Sequence, residues 1–338
     1  MNFVTGGTGL VGSHLLFELT SNDEPIKALY RSEARQHLVR AIFKHYDLKN
    51  WESRFHKIEW VKGDILDITE MNTLITQGMK VYHCAAMVSF DDKFFNQMMH
   101  VNRDGTENIV NACLANNAKK LCYVSSTAAI GGEGEKVISE DTKWKNTPST
   151  TGYSISKYCA EREVWRGTEE GLNAVIINPC VVFGAGSWNE SSLTIFDTLK
   201  KGQSYYPPGS NATVDARDVA NAMSLLMESD IQSERFLCIG SNQSFKDLMT
   251  EIAQQLGVKT PSKEAKRWQV NLARRILGVI SFFTRKRPRI NKDTVGNLFG
   301  VKYYEVGKIK NAIDINFRPL SEQVKNAIEG RYDSPKNS

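Results

Sequence analysis

Thr5-Gly6-Gly7-Thr8-Gly9-Leu10-Val11-Gly12 is the stretch on which the fold turns. It follows Asn2-Phe3-Val4-Thr5, a run with strand character. It opens a segment whose apolar residues at 10, 11, 15, 16 and 19 share one face of a 3.6-residue period. Gly6, Gly9 and Gly12 have GxxGxxG spacing. Glycine permits the tight turn and lets the backbone approach a pyrophosphate closely. The helix start then supplies unpaired N–H groups and a partial positive charge. A strand before and a helix after turn a weak glycine pattern into a strong one.

Outward from this loop, short apolar runs alternate with helical patterns. Strands are predicted at 2–5, 26–30, 58–62, 79–84, 120–124 and 173–178, and helices at 10–21, 33–47, 67–77, 93–116 and 151–170. Repeated βα units imply a doubly wound parallel sheet of the Rossmann type, an α/β fold, with ligands bound beyond the carboxyl ends of the strands. After Gly184 the pattern changes. Pro207-Pro208-Gly209-Ser210 is a turn cluster, 215–227 reads as a helix and 236–240 as a late strand. The expected organisation is a cofactor-binding Rossmann domain, 1–184 plus 213–240, and a smaller, mainly helical substrate domain, 185–212 plus 241–330, with 331–338 as a tail.

Dinucleotide-binding domains that take NAD place an acid at the end of the second strand for the ribose 2′-hydroxyl. Here Tyr30-Arg31-Ser32 stands at that point, and Asp23 and Glu24 come too early. Arg31 suits a 2′-phosphate through bidentate hydrogen bonds. NADP is therefore favoured over NAD; the alternative is a solvated arginine with specificity set elsewhere. Asp64-Ile65, after the third strand, offers an acid to the adenine amine. Otherwise Asp64 caps the helix at 67–77, although Asp67 is the better cap.

Tyr153 and Lys157 begin the helical stretch 151–170 and, at i and i+4, lie on one face. A free tyrosine titrates near pH 10, and a nearby ammonium lowers that value. A general acid/base for an alcohol–ketone couple needs this. Upstream, Val124-Ser125-Ser126-Thr127-Ala128-Ala129 ends the fifth strand at the sheet's carboxyl edge. Thr127 is expected to donate to a substrate oxygen, with Ser126 the weaker candidate; the alternative is hydroxyls that cap a strand end.

Together these parts resemble the extended short-chain dehydrogenase/reductase superfamily, in the NAD-dependent epimerase/dehydratase family. The resemblance spans nearly the whole chain. It is carried in order by TGGTGLVG (5–12), HCAA (83–86), VNRDGTEN (101–108), YVSSTAA (123–129), YSISK (153–157), NPCVVFGAG (178–186) and DARDVANA (215–222). Arg31 and the DARDVA stretch make it more similar to the dihydroflavonol-reductase and 3β-hydroxysteroid-dehydrogenase branches than to sugar epimerases. The resemblance implies Tyr153 as proton donor or acceptor, Lys157 as its partner and cofactor-ribose ligand, Thr127 as the substrate-orienting hydroxyl, and Asn102 near the active site. It also implies that Ala85, Ala86 and the backbone from Pro179 to Val182 line the cofactor. Ala128-Ala129 stands where sugar dehydratases of the family carry an Asp-Glu pair, which disfavours dehydration.

Three functions follow as expectations. The first is an NADP(H)-dependent oxidoreductase of a small-molecule alcohol or carbonyl. The second is a nucleotide-sugar epimerase with tightly held NAD, and the third a non-catalytic NADP-binding sensor; such relatives typically lose the Tyr or the Lys. A net charge of +5 is too mild to imply nucleic-acid binding, and most of the excess lies in 263–289. That segment reads as a helix covering the substrate pocket, as a peripheral attachment to an anionic membrane, or as a grip on a substrate diphosphate. The six cysteines lack CxxC pairing and are expected to be buried thiols, with no metal site. The chain opens straight into a strand with no leader pattern, so a cytoplasmic location is expected. Homodimerisation through 93–116 and 151–170 is an implication of the resemblance.

Overall fold

A computed structural model describes residues 1–132, 135, 137–147, 150–272 and 298–332. Six of its strands lie where the apolar runs predict them: β1 (Asn2–Thr5), β2 (Ile26–Tyr30), β3 (Ile58–Lys62), β4 (Lys80–His83), β5 (Lys120–Val124) and β6 (Ala174–Pro179). With Glu234–Cys238 they form one parallel sheet, ordered Glu234–Cys238, β6, β5, β4, β1, β2, β3. This is the doubly wound Rossmann-type sheet. The direction of winding reverses between β1 and β4, and the glycine loop leaves β1 at that switch point.

The central strands are largely apolar because both their faces are covered. Phe3, Val81, Leu121, Tyr123 and Ile176 enter one core cluster; Val4, Tyr82, Cys122, Val175 and Ile177 enter the other. The period of two along each strand sends neighbours to opposite faces. Leu15 and Leu16 of the helix Leu10–Leu19 are fully buried, each contributing roughly 1.5–3 kcal/mol by leaving water.

A third cluster joins Phe183, Trp188 and Phe196 to Ile252 and Val324, and Leu10, the first residue of the first helix, packs against it. Ile309, Ile313 and Ile315, which the sequence reading assigns to the smaller unit, lie in one of the clusters of the large sheet. Arg331-Tyr332, expected to begin the tail, instead pairs with Gly186-Ser187. The helical stretch 93–116 is not one helix. Phe95–Met98 and Gly105–Ala115 flank a π-helical turn at Met99–Asp104, a widening that apolar periodicity does not report. Of the basic segment, Lys263-Glu264 pairs with Tyr205-Tyr206, whereas 273–289 lies outside the described residues, as does 333–338. Among the described residues no helix is long and apolar enough to cross a membrane, and no His/Cys/Asp/Glu group could hold a metal ion.

The C-terminal helix Leu320–Glu329 is tied to Asp215, the fully buried last residue of the strand Ser210–Asp215 in a separate three-stranded sheet. Asp215 accepts from the Arg217 guanidinium at 2.9 and 2.7 Å and from Asn326 Nδ2 at 3.3 Å. Asn326 Oδ1 in turn accepts from the Tyr46 hydroxyl at 3.0 Å, and that hydroxyl meets His14 Nε2 at 2.9 Å. Burial pushes His14 down to about 4. His83 at the end of β4 lies opposite Thr5 of β1, its Nδ1 2.7 Å from the Thr5 hydroxyl, and burial pushes it down to about 3.

Removing one partner of a buried charge pair leaves the other uncompensated, so Asp215→Ala should lower stability by about 3 kcal/mol in urea unfolding. Arg35→Ala breaks a bidentate pair with Glu190, but both side chains are more than 40% exposed, so the loss should stay below about 1 kcal/mol. Both histidines are neutral when folded and bind protons below 6.5 when unfolded. Stability should therefore be unaffected by them above pH 6.5 and fall as pH drops from 6.5 towards 4, by up to about 1.4 kcal/mol per unit for each. Unfolding midpoints between pH 6.5 and 5 test this, and His83→Gln should reduce the slope.

Candidate active site

Gly6 has φ +68°, and a Cβ there would sit 2.5 Å from the Ala85 nitrogen. A Cβ on Gly12 would lie 2.2 Å from the Gly6 carbonyl oxygen. The loop is thus folded backbone against backbone, on itself and on the exit from β4. Thr8, Gly9, Leu10 and Val11 are half-buried along it. The helix Leu10–Leu19 starts at Gly9 with no side-chain cap and no acid in its first turn. Its leading N–H groups precede any intrahelical acceptor, the arrangement that receives a phosphate. Ala85 is half-buried and Ala86 exposed where β4 ends; Pro179 is buried and Val182 half-buried where β6 ends.

Arg31 stands exposed just past β2. Asp64 accepts from the Leu66 N–H at 3.1 Å, and Asp67, not Asp64, caps the following helix Ile68–Leu74. The Ile65 side chain is in the core and its carbonyl accepts from Asn108, so that residue presents no side chain to the groove.

The Thr151 hydroxyl accepts from the Ser154 N–H at 3.0 Å and starts the helix Gly152–Glu169. Tyr153 therefore sits in the first turn, half-buried, with the exposed Phe90 ring edge-on at 5.9 Å. Burial raises its phenol, and the neighbouring Ser126 hydroxyl opposes that rise. Thr127, the hydroxyl expected to face the reacting oxygen, opens a single-turn 3₁₀ helix at Thr127–Ala129 just after Ser126 and is buried.

Lys157 is 1% exposed. Its ammonium donates to the Tyr123 hydroxyl at 2.6 Å and the Val124 carbonyl at 2.9 Å. Burial pushes it down to about 7, against an upward pull from Glu161. Tyr153 is raised above 10 by burial, not lowered as the i, i+4 spacing predicts. The two side chains share a helix face, but the ammonium is engaged with β5.

Asn102, in the π-helical turn, is committed to structure. It accepts from the Met87 N–H at 2.6 Å and donates to the Met87 carbonyl and the Ser156 hydroxyl at 2.9 Å each. It thereby fixes the loop after β4 against the helix that carries Tyr153 and Lys157. Glu161, buried and absent from the sequence reading, accepts from Ser125 at 2.6 Å, Asn178 at 2.8 Å and Arg235 at 2.9 Å. Its i+4 spacing from Lys157 was a legible signal. Tyr304 carried none, since a distant segment brings it in: Asn242 exchanges two 2.9 Å hydrogen bonds with its backbone.

Residues 2–240 match the NAD dependent epimerase/dehydratase family. Among curated proteins, the chain is 26% identical over 275 residues to a putative dihydroflavonol 4-reductase of Synechocystis sp., covering 79% of this chain and 75% of that one. It is 28% identical over 251 residues to cinnamoyl-CoA reductase 1 of Petunia hybrida, covering 70% and 72%. Among solved structures, gox2253 superimposes with a TM-score of 0.77 at 24% identity, over 97% of this chain and 96% of that one, and so shares the fold. With the glycine cradle, the parallel sheet and a match over most of its length, the chain belongs to the NAD dependent epimerase/dehydratase family.

Proposed function

We propose that the protein is an NADP(H)-dependent oxidoreductase that interconverts an alcohol and a carbonyl on a small molecule. One observation carries this reading: Tyr153 and Lys157 stand one turn apart on the helix Gly152–Glu169, at the sheet edge that also bears Ser126 and the glycine cradle. Reductases among the similar curated proteins support it. So does Ala128-Ala129, which puts no carboxylate pair beside Ser126.

The glycine loop would hold the pyrophosphate, and Arg31 the 2′-phosphate that marks NADP. When bound, the nicotinamide supplies the hydride chemistry. Tyr153 gives a proton to the substrate oxygen as the carbonyl is reduced, or removes it as the alcohol is oxidised. The Ser126 hydroxyl donates to the same oxygen and polarises it. Lys157 keeps a positive charge near the Tyr153 phenolate, and one N–H of an ammonium's three remains beyond its bonds to Tyr123 and Val124. Asn102 and Glu161 hold the helix and the lysine.

Fluorescence titration with NADPH and NADH is the primary test, after assay for co-purified cofactor. NADPH should bind reversibly and more tightly than NADH. Arg31→Ala should weaken NADPH by about 10- to 100-fold while leaving NADH unchanged. NAD(H) that stays bound through purification would favour the nucleotide-sugar epimerase instead. In a screen of carbonyl substrates with NADPH, Tyr153→Phe should lower kcat by about 100- to 10,000-fold while NADPH still binds. Unchanged turnover in that variant would remove the tyrosine mechanism.

A further inference from the structure

The lysine implicated above is a buried cation, and its acceptors decide whether it stays charged. Tyr123 lies on β5 directly opposite His83 on β4, their rings stacked with centroids 5.4 Å apart. The Lys157 ammonium rests 4.4 Å from the centre of the Tyr123 ring as well as 2.6 Å from its hydroxyl.

Counting hydrogens fixes the direction of these bonds. Thr106 Oγ1 lies 2.5 Å from the Asn102 carbonyl oxygen, which can only accept, so the single Thr106 hydrogen goes there. Thr106 is then the acceptor for His83 Nε2 at 3.0 Å. An ammonium can only donate, so the Tyr123 oxygen faces Lys157 as an acceptor. The same logic assigns the His83 proton to Nε2 and makes Nδ1 the acceptor for the Thr5 hydroxyl at 2.7 Å. His83 in this arrangement is neutral, in keeping with its burial. Thr5, His83 and Thr106 thus form a chain of one polarity, running from the base of the glycine loop to the Asn102 carbonyl.

We propose that Tyr123 is a positioning residue for Lys157: its phenol oxygen, set in place by the stack of its ring on His83, is an acceptor that holds the lysine as an oriented ammonium. The link to catalysis rests on the reading of Tyr153 and Lys157 as the proton-handling pair; the link between Tyr123 and Lys157 does not. The titratable groups facing Lys157 are Tyr153 and Glu161 on its own helix, Tyr123 on β5, and His83 and Cys84 where β4 ends. Glu161 is the carboxylate among them. Burial keeps the Cys84 thiol and the Tyr123 phenol protonated. Removing the Tyr123 hydroxyl therefore takes an acceptor from Lys157 and provides no replacement.

The test uses the full chain labelled with ¹³C-lysine, with the Lys157 resonance assigned by its loss in Lys157→Met. The Lys157 titration midpoint should fall by about one pH unit in Tyr123→Phe, because the charged form loses a hydrogen-bond acceptor. An unshifted midpoint in folded Tyr123→Phe overturns the proposal. Should that variant fail to melt cooperatively, Tyr123→Leu removes the same acceptor from the same strand position; a fall in the same direction is expected, and none overturns the proposal. In the alcohol-oxidation direction, less positive charge near Tyr153 makes its phenolate harder to form. The acidic limb of the kcat profile should then move up by about one unit, and kcat at pH 7 should fall about tenfold, with the coenzyme Kd within twofold. A shifted midpoint in a chain that turns over no alcohol or carbonyl upholds the Tyr123–Lys157 link and removes the oxidoreductase reading. An unshifted midpoint, while Tyr153→Phe loses turnover, does the reverse.

Discussion

The glycine loop can sit over the switch point of the sheet only because two Cβ atoms are missing. At Gly6 the backbone turns with positive φ against the nitrogen of Ala85, and at Gly12 the first helix passes against the Gly6 carbonyl. A side chain at either point would push the helix off β1 or the loop off β4. The helix N-terminus would then no longer point across the carboxyl edge where β4, β5 and β6 deliver Ala85, Ser126 and Pro179. The glycine loop and the residues at the carboxyl edge of the sheet are thus placed together by one close approach. Leu10 extends the linkage, since the residue that opens the helix also packs on the third core cluster.

Desolvation dominates the electrostatics of the site. Lys157, His83 and Glu161 are each at most 2% exposed. Each burial is met by hydrogen bonds within the protein. Glu161 accepts from Ser125, Asn178 and Arg235, His83 is held neutral between two threonines, and Lys157 is shared by a phenol and a carbonyl. Buried polar groups of this kind are costly when unpaired and rigid when satisfied. Rigidity is useful here, because a proton donor must be held within a fraction of an ångström of its target.

The C-terminal half reaches the same edge by contacts that cross the fold. Tyr304 arrives through Asn242 and a bridge to Ile138, and Asp215 fastens the last helix through Asn326. Arg235, on the edge strand, spans the Glu140 carbonyl and the Glu161 carboxylate. These contacts join segments some 60 to 170 residues apart in the chain. They bring substrate-side residues to a floor that the first 180 residues build.

The sequence alone determined the sheet, because two-sided burial writes itself as apolar runs of strand length between helical periods. It also determined the glycine cradle, where only one residue type fits, and the pairing of Tyr153 with Lys157 on one helix face. Tertiary structure decided what each polar group does. Asn102 is drawn into clamping the loop after β4, and Ile65 into the core. Lys157 turns to Tyr123, and burial raises Tyr153 where local spacing predicts a fall. The physical reason is the same in each case. Periodicity and steric exclusion are local and leave a trace in the order of residues. Desolvation and hydrogen-bond direction depend on neighbours that only folding brings together.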